Sequence, residues 1–259
     1  MEQNKLIPLS ILAAGIIIAV SVFFVGKSST TDEEQKTATV PTSGKEIRGV
    51  SEADHLRGNP DAPVVIVEYS DFECPFCQRF HKDLKTVMDT RGKSGELAWV
   101  YRHFPLQELH SKAPFVSLAS ECVASLGGND AFWNFADTYY ETTPSNNQID
   151  LATLPSLAGS VGVDKDAFGA CVAETTYQSE VDTDFAEARA AGGTGTPFSV
   201  FIFKEPIKAE VKKLAESFNA QYGNALFSVI TENQLGMSGA LPADIVALIV
   251  DTQIGKAAQ

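Results

Sequence analysis

Two cysteines two residues apart, at the point where a strand hands over to a helix, narrow the possible folds more than any other feature of the chain. Pro63 to Tyr69 (Pro-Val-Val-Ile-Val-Glu-Tyr) is a β-branched, nearly all-apolar run of the kind that fills a central strand. A short polar loop leads into Cys74-Pro75-Phe76-Cys77. Beyond it Cys77, Phe80, Leu84, Val87 and Met88 recur at helical spacing through Gln78 to Met88, so the motif opens a helix. Pro75 suits the first turn, where its missing N–H would have had no partner.

The remaining pattern predicts a second strand at Leu97 to Phe104. Helical segments follow at Ser111 to Leu126, Asp130 to Tyr140, Leu151 to Val161, Lys165 to Ala173 and Ser179 to Ala191. Gly192 to Pro197 breaks that block. A strand at Phe198 to Phe203, a helix at Ile207 to Tyr222, a strand at Ala225 to Ile230 and a helix at Asp244 to Ile254 complete the order. This is an α/β domain over residues 49–259, with one sheet and a helical insertion at about 107–191.

A cysteine at a helix start has a defined chemistry. Cys74 lies beside unpaired N–H groups and the positive end of the helix dipole, which favour its thiolate. The thiolate is the species that attacks a disulfide sulfur. Cys77, one turn on and on the apolar face, is placed to resolve the mixed disulfide. Pro75 and Phe76 carry no charge, so further tuning must come from neighbours. Glu68 is the one charged residue of its strand. If buried it becomes a proton acceptor for Cys77; if it ends the strand it faces solvent. A cis bond at Thr196-Pro197 would bring backbone alongside Cys74 and let Thr196 offer its N–H and C=O to an extended peptide.

Leu6 to Gly26 is an apolar run bracketed by Lys5 and Lys27. About 20 such residues at 1.5 Å each span a bilayer core of roughly 30 Å. Phe23, Phe24 and Val25 stand where a small-residue cleavage site would be needed, so residues 1–26 read as an uncleaved signal anchor rather than a removed signal peptide. Residues 27–48 are polar and aromatic-free and read as a flexible linker. The chain is then membrane-tethered and single-pass, with its folded part on the extracytoplasmic side. A net charge of −13 argues against nucleic acid as a partner.

Ser70 to Cys77 (Ser-Asp-Phe-Glu-Cys-Pro-Phe-Cys) with His81 after it resembles the active-site segment of DsbA-like oxidoreductases. Tyr101 to Leu106 (Tyr-Arg-His-Phe-Pro-Leu) with His110 and Ala113, Glu121-Cys122, Phe168 to Cys171, and Gly195-Thr196-Pro197 are similar to further segments of that family. The resemblance covers roughly residues 50–203. It implies a thioredoxin fold with a helical insertion, a cis-proline at Pro197, and a dithiol Cys74–Cys77 that oxidises newly exported, reduced proteins. It also implies reoxidation by a membrane partner of the DsbB or vitamin-K-epoxide-reductase type, and it matches Glu68 to the family's acid beneath the active site. The chain departs from the family at Lys204 to Gly223, where an extra amphipathic helix precedes the last strand.

Similar paired cysteines form a structural bridge in some members of the family, which suggests Cys122–Cys171 here; two free buried thiols would be the contrary case. His81 either tunes the Cys74 thiolate or is a partly exposed polar residue. His103 and His110 have no evident role. No cofactor and no metal are assigned. A zinc site from Cys74, Cys77, His81 and another histidine lacks a second closely spaced ligand pair. Two rival functions stay open: a disulfide reductase or isomerase on the same fold, and a tethered binding domain with a merely structural disulfide.

Overall fold

Six strands, β1 (His55–Gly58), β2 (Val64–Ser70), β3 (Leu97–His103), β4 (Phe198–Phe203), β5 (Phe227–Val229) and β6 (Gln234–Ser238), build one mixed sheet in the spatial order β1-β3-β2-β4-β6-β5. The computed structural model describes residues 40–222 and 226–256. β2 pairs in parallel with β3 and antiparallel with β4, so Glu68 lies between Tyr101 and Ser199. Side chains alternate across a strand. Val64 and Ile66 join one core with Phe80, Leu84, Phe201, Ile249 and Val250, while Val67 and Tyr69 join the other with Val100, Val200, Ala188 and Ala191. Glu68 and Ser70 continue the Val64 and Ile66 face, which is the face covered by α1 (Pro75–Val87).

The insertion between β3 and β4 comprises α2 (Ala113–Thr142), α3 (Leu154–Ser160), α4 (Lys165–Glu174) and α5 (Gln178–Ala190). The two helices expected at 111–126 and 130–140 are one 30-residue element that breaks direction at Gly128, whose φ of 81° and ψ of −178° are not helical. Glycine meets that backbone at little steric cost. α6 (Ala209–Tyr222) is the extra helix before the last hairpin, and α7 (Ala243–Ile254) packs beside α1. Cys122 on α2 and Cys171 on α4 form a disulfide, with Cα atoms 5.8 Å apart.

Two strands escape the sequence pattern. β1 (His-Leu-Arg-Gly) is short and half exposed, so it has no apolar alternation to read. β6 (Gln-Leu-Gly-Met-Ser) carries Gly236 at its centre, where a Cβ would stand 2.8 Å from the Ser228 hydroxyl of the neighbouring strand.

The linker read at residues 27–48 also ends earlier than its composition suggests. Thr42 bridges Val229, Lys45 N–H bonds the Ala190 carbonyl at 2.8 Å, and Ile47 is buried while its backbone exchanges two hydrogen bonds of 3.0 Å with the Gln234 side chain. Its polar side chains face solvent while its backbone completes the sheet edge, which composition does not show. The expected anchor at residues 6–26 lies outside the described residues, among which no helix is long and apolar enough to cross a membrane.

Replacing both Cys122 and Cys171 by serine is expected to lower unfolding stability by about 2–4 kcal/mol, since the bond closes a long loop of 49 positions. Urea midpoints of the two forms measure this; an unchanged midpoint would contradict a stabilising bridge.

Candidate active site

β2 ends at Ser70 and the chain must turn sharply to start α1 at Pro75. Asp71 holds that turn. Its carbonyl accepts the Cys74 N–H at 3.0 Å and its Oδ1 accepts the Glu73 N–H at 2.8 Å. Its Oδ2 takes the Leu106 N–H and meets His110 Nδ1, both at 2.8 Å, which ties the turn to the segment after β3. This bond, above all, raises the His110 proton affinity. The buried Glu73 carboxylate accepts from the Tyr139 hydroxyl and the Asn147 N–H, fixing the turn to the end of α2.

Cys74 occupies the N-cap of α1 in an extended conformation (φ −80°, ψ 123°) and its carbonyl accepts the Gln78 N–H at 3.0 Å. No side chain caps the helix, so the first-turn N–H groups are left to the Cys74 sulfur. The Cys74 thiol is brought down to about 6, chiefly by the hydrogen bond from Cys77, helped by Thr196 and the Cys77 and Phe76 backbone, and opposed by burial. Cys77 goes the other way. It has no exposure at all, against 4% for Cys74, and burial pushes its thiol well above the usual range, with the neighbouring Cys74 thiolate adding to the shift. Two chemically identical groups one turn apart are thereby split into one that ionises readily and one that holds its proton.

The Thr196-Pro197 bond is cis, and the Thr196 carbonyl lies 3.5 Å from Cys74 Sγ. The Thr196 hydroxyl is buried without a hydrogen-bond partner among the described residues, beside a thiol whose ionised form would accept it.

Glu68 is fully buried, since β2 runs two residues past it. The Ser70 hydroxyl donates to Oε1 at 2.7 Å and Trp99 Nε1–H donates to Oε2 at 3.0 Å. Burial outweighs both and lifts its pKa to about 8.

The histidines are placed otherwise than the sequence suggested. His81 is neither exposed nor bonded to Cys74; it is buried against Trp99 and Tyr140, with Nε2 2.6 Å from Asp137 Oδ1. Its position on the inward face of α1, four residues after Cys77, explains the burial. That pairing also removes it from any zinc site with the cysteines. His103 and His55 both meet Glu121 Oε1 at 2.7 Å, and these three donors converge within 4.8 Å. Sequence reading missed Ser70, Asp71, Glu73 and Tyr140. Ser70 was within reach, because it shares a strand face with Glu68; the partners of Asp71 lie 35 and 39 positions away and are set by the fold.

The sequence model of the thioredoxin family matches residues 50–217. The chain belongs to the thioredoxin family. Among solved structures this thioredoxin-family chain is similar to Pseudomonas aeruginosa DsbA2, with 23% identity, 79% of this chain and 96% of that one covered, and a TM-score of 0.56. It is similar also to Wolbachia pipientis α-DsbA1, with 20% identity, 80% and 93% covered, and a TM-score of 0.60. The shared fold is that of DsbA-like proteins. A Na(+)/H(+) antiporter NhaA 1 of Mycolicibacterium gilvum is 32% identical over 163 residues, 61% of this chain and 25% of that protein. The match thus spans a quarter of that relative's length.

The raised Glu68 pKa makes stability depend on pH. Folded, Glu68 keeps its proton up to about pH 8; at its ordinary value of 4.5 it would already have lost it. Folding therefore takes up a proton between those values, and stability falls as pH rises through that window. Glu68→Gln is expected to match the reduced parent near pH 4 and to exceed it by about 1–3 kcal/mol at pH 8, measured by urea unfolding. A variant less stable than the parent at pH 8 would contradict this.

Proposed function

We propose that the chain is an extracytoplasmic thiol–disulfide oxidoreductase that forms disulfides in exported proteins through Cys74 and Cys77. The observation that carries the reading is the split between the two thiols: Cys74 is held near a pKa of 6 at the start of α1, against the Thr196 carbonyl, while Cys77 is sealed beneath it. A dithiol whose thiolate is stabilised favours its reduced state, which makes the disulfide form an oxidant toward other proteins.

In the catalytic cycle a substrate thiolate attacks Cys74 Sγ of the disulfide form. Cys77 leaves as a thiolate and is protonated, and a second substrate thiol then displaces Cys74 to complete the substrate's disulfide. The surface suits unfolded clients. Phe76 and Leu109 are 56% and 69% exposed, and a groove of about 670 Å³, walled by Leu106, Leu109 and Phe185 together with Glu108, Asp182 and Arg189, reaches Thr194, two positions before Thr196. A groove walled by both apolar and polar side chains suits an extended, reduced chain without demanding one sequence.

The apolar run at residues 6–26 supports a single-pass membrane anchor, with the thioredoxin domain on the outer side. There, a membrane protein of the DsbB or vitamin-K-epoxide-reductase type would restore the Cys74–Cys77 disulfide. A reductase or isomerase on the same fold remains the second reading, since direction depends on the balance of the two redox forms.

Oxidative refolding tests the proposal. The oxidised full chain, in detergent, is expected to accelerate disulfide formation in a reduced, unfolded secretory protein, and Cys74→Ser to abolish the effect. Parent protein that leaves the refolding rate at the level of buffer would refute the oxidase reading.

A further inference from the structure

Three side chains with metal-binding atoms meet where β1, the end of β3 and α2 converge, and neither thiol is among them. His55 stands opposite Tyr101 in the antiparallel pairing of β1 with β3, and His103 follows Tyr101 by two residues. Residues two apart on a strand share a face of the sheet, so both imidazoles lie on the side where Glu121 of α2 reaches them. Nε2 of each ring lies 2.7 Å from the same oxygen, Glu121 Oε1. One ligand atom from each of the three residues lies within 4.8 Å of the other two. Phe132 of α2 stacks on the His55 ring, 3.6 Å between centroids, which holds the plane of that imidazole.

The charges nearby are partnered differently. Arg102 binds Asp54 and Glu187, and Arg48 binds Asp184 and Glu187. Glu121, with only 13% of its side chain exposed, meets no arginine or lysine among the described residues and has the two imidazoles alone. Carboxylates withdrawn from water are paired with a cation or hold a metal ion, and an imidazole is a cation only while protonated. A cavity of about 260 Å³, lined by His55, Tyr101 and Glu121 with Asp54 and Asp184, opens onto the cluster. Two imidazoles, one carboxylate and a fourth side open to solvent make the ligand set of a zinc ion with three protein ligands.

We infer that His55, His103 and Glu121 bind a divalent transition-metal ion, zinc being the best match. Zinc takes imidazole nitrogen at about 2.0–2.1 Å and carboxylate oxygen at about 2.0–2.2 Å, which sets tetrahedral ligands roughly 3.3–3.5 Å apart. Each 2.7 Å contact then opens by less than about 1 Å to admit the ion, within reach of the Glu121 side-chain torsions. Two nitrogen donors out of three select against calcium and magnesium, which seek oxygen. The ion pins β1 and the end of β3 to α2, one residue before the cysteine that ties α2 to α4. His103 Nδ1 has no hydrogen-bond partner among the described residues, so the affinity falls below that of a site whose ligands are all braced. None of this depends on the chemistry of Cys74 and Cys77.

Zinc chloride titrated calorimetrically into the oxidised full chain, in detergent, is the test. With Cys74 and Cys77 joined in a disulfide, the pair offers the ion no thiolate. One ion per chain is expected, bound in the micromolar range or tighter, together with a thermal midpoint that rises with zinc. His55→Gln and Glu121→Gln each keep a hydrogen-bonding group but remove a ligand. Each is expected to weaken binding by about a hundredfold or more and to abolish the zinc-dependent rise in midpoint. Calcium chloride in excess should not displace the zinc. No binding, binding only at millimolar zinc, equal affinity in both variants, or displacement by calcium would each overturn the assignment. Should the variants not fold, crystals of the parent soaked in zinc decide by anomalous scattering. A peak between the three donors supports the site, and no peak there overturns it.

Discussion

The Cys74 sulfur lies against the unpaired first-turn N–H groups of α1, and Cys77 lies one turn deeper where no water reaches. That single step from helix terminus to core separates the proton affinities of two identical thiols in opposite directions. Most of what surrounds them serves to hold that step in place. The terminus must be open, so no side chain caps it. The turn before it must be rigid, so Asp71 binds it to Leu106 and His110, and Glu73 binds it to Tyr139 and Asn147. The Thr196 carbonyl and hydroxyl close the side that α1 leaves free.

A buried carboxylate sits badly in such a core, and its presence there is informative. Glu68 costs stability wherever it is charged, and two hydrogen bonds offset that cost in part. An apolar residue at the same register position would pack against α1 with no such cost. What Glu68 adds is a group whose proton affinity, near 8, lies between those of the two thiols. The insertion contributes to the same enclosure, since Tyr139 and Tyr140 at the end of α2 seal the motif turn and the Ser70 hydroxyl.

The centre of the domain was legible because its physics is local. β2 is a run of β-branched residues, α1 has a one-sided apolar face, and both surround a motif whose spacing carries its chemistry. Pro197 and Thr196 could be named from the resemblance, but their place beside Cys74 depends on β4 lying next to β2. What escaped was decided by distant partners. β1 and β6 take their strand form from the neighbours they pair with, and residues 40–48 become structured through Val229, Ala190 and Gln234. His81 was misjudged because burial of a histidine turns on its partner, and Asp137 is 56 positions away.

The central claim is that the surroundings of Cys74 stabilise the reduced form enough to make the disulfide form an oxidant. The reduction potential of the Cys74–Cys77 pair, taken on the full chain equilibrated against glutathione, tests it most directly. A value between about −120 and −180 mV is what the stabilised Cys74 thiolate predicts. A value near about −270 mV would place the pair among reductases and contradict the account.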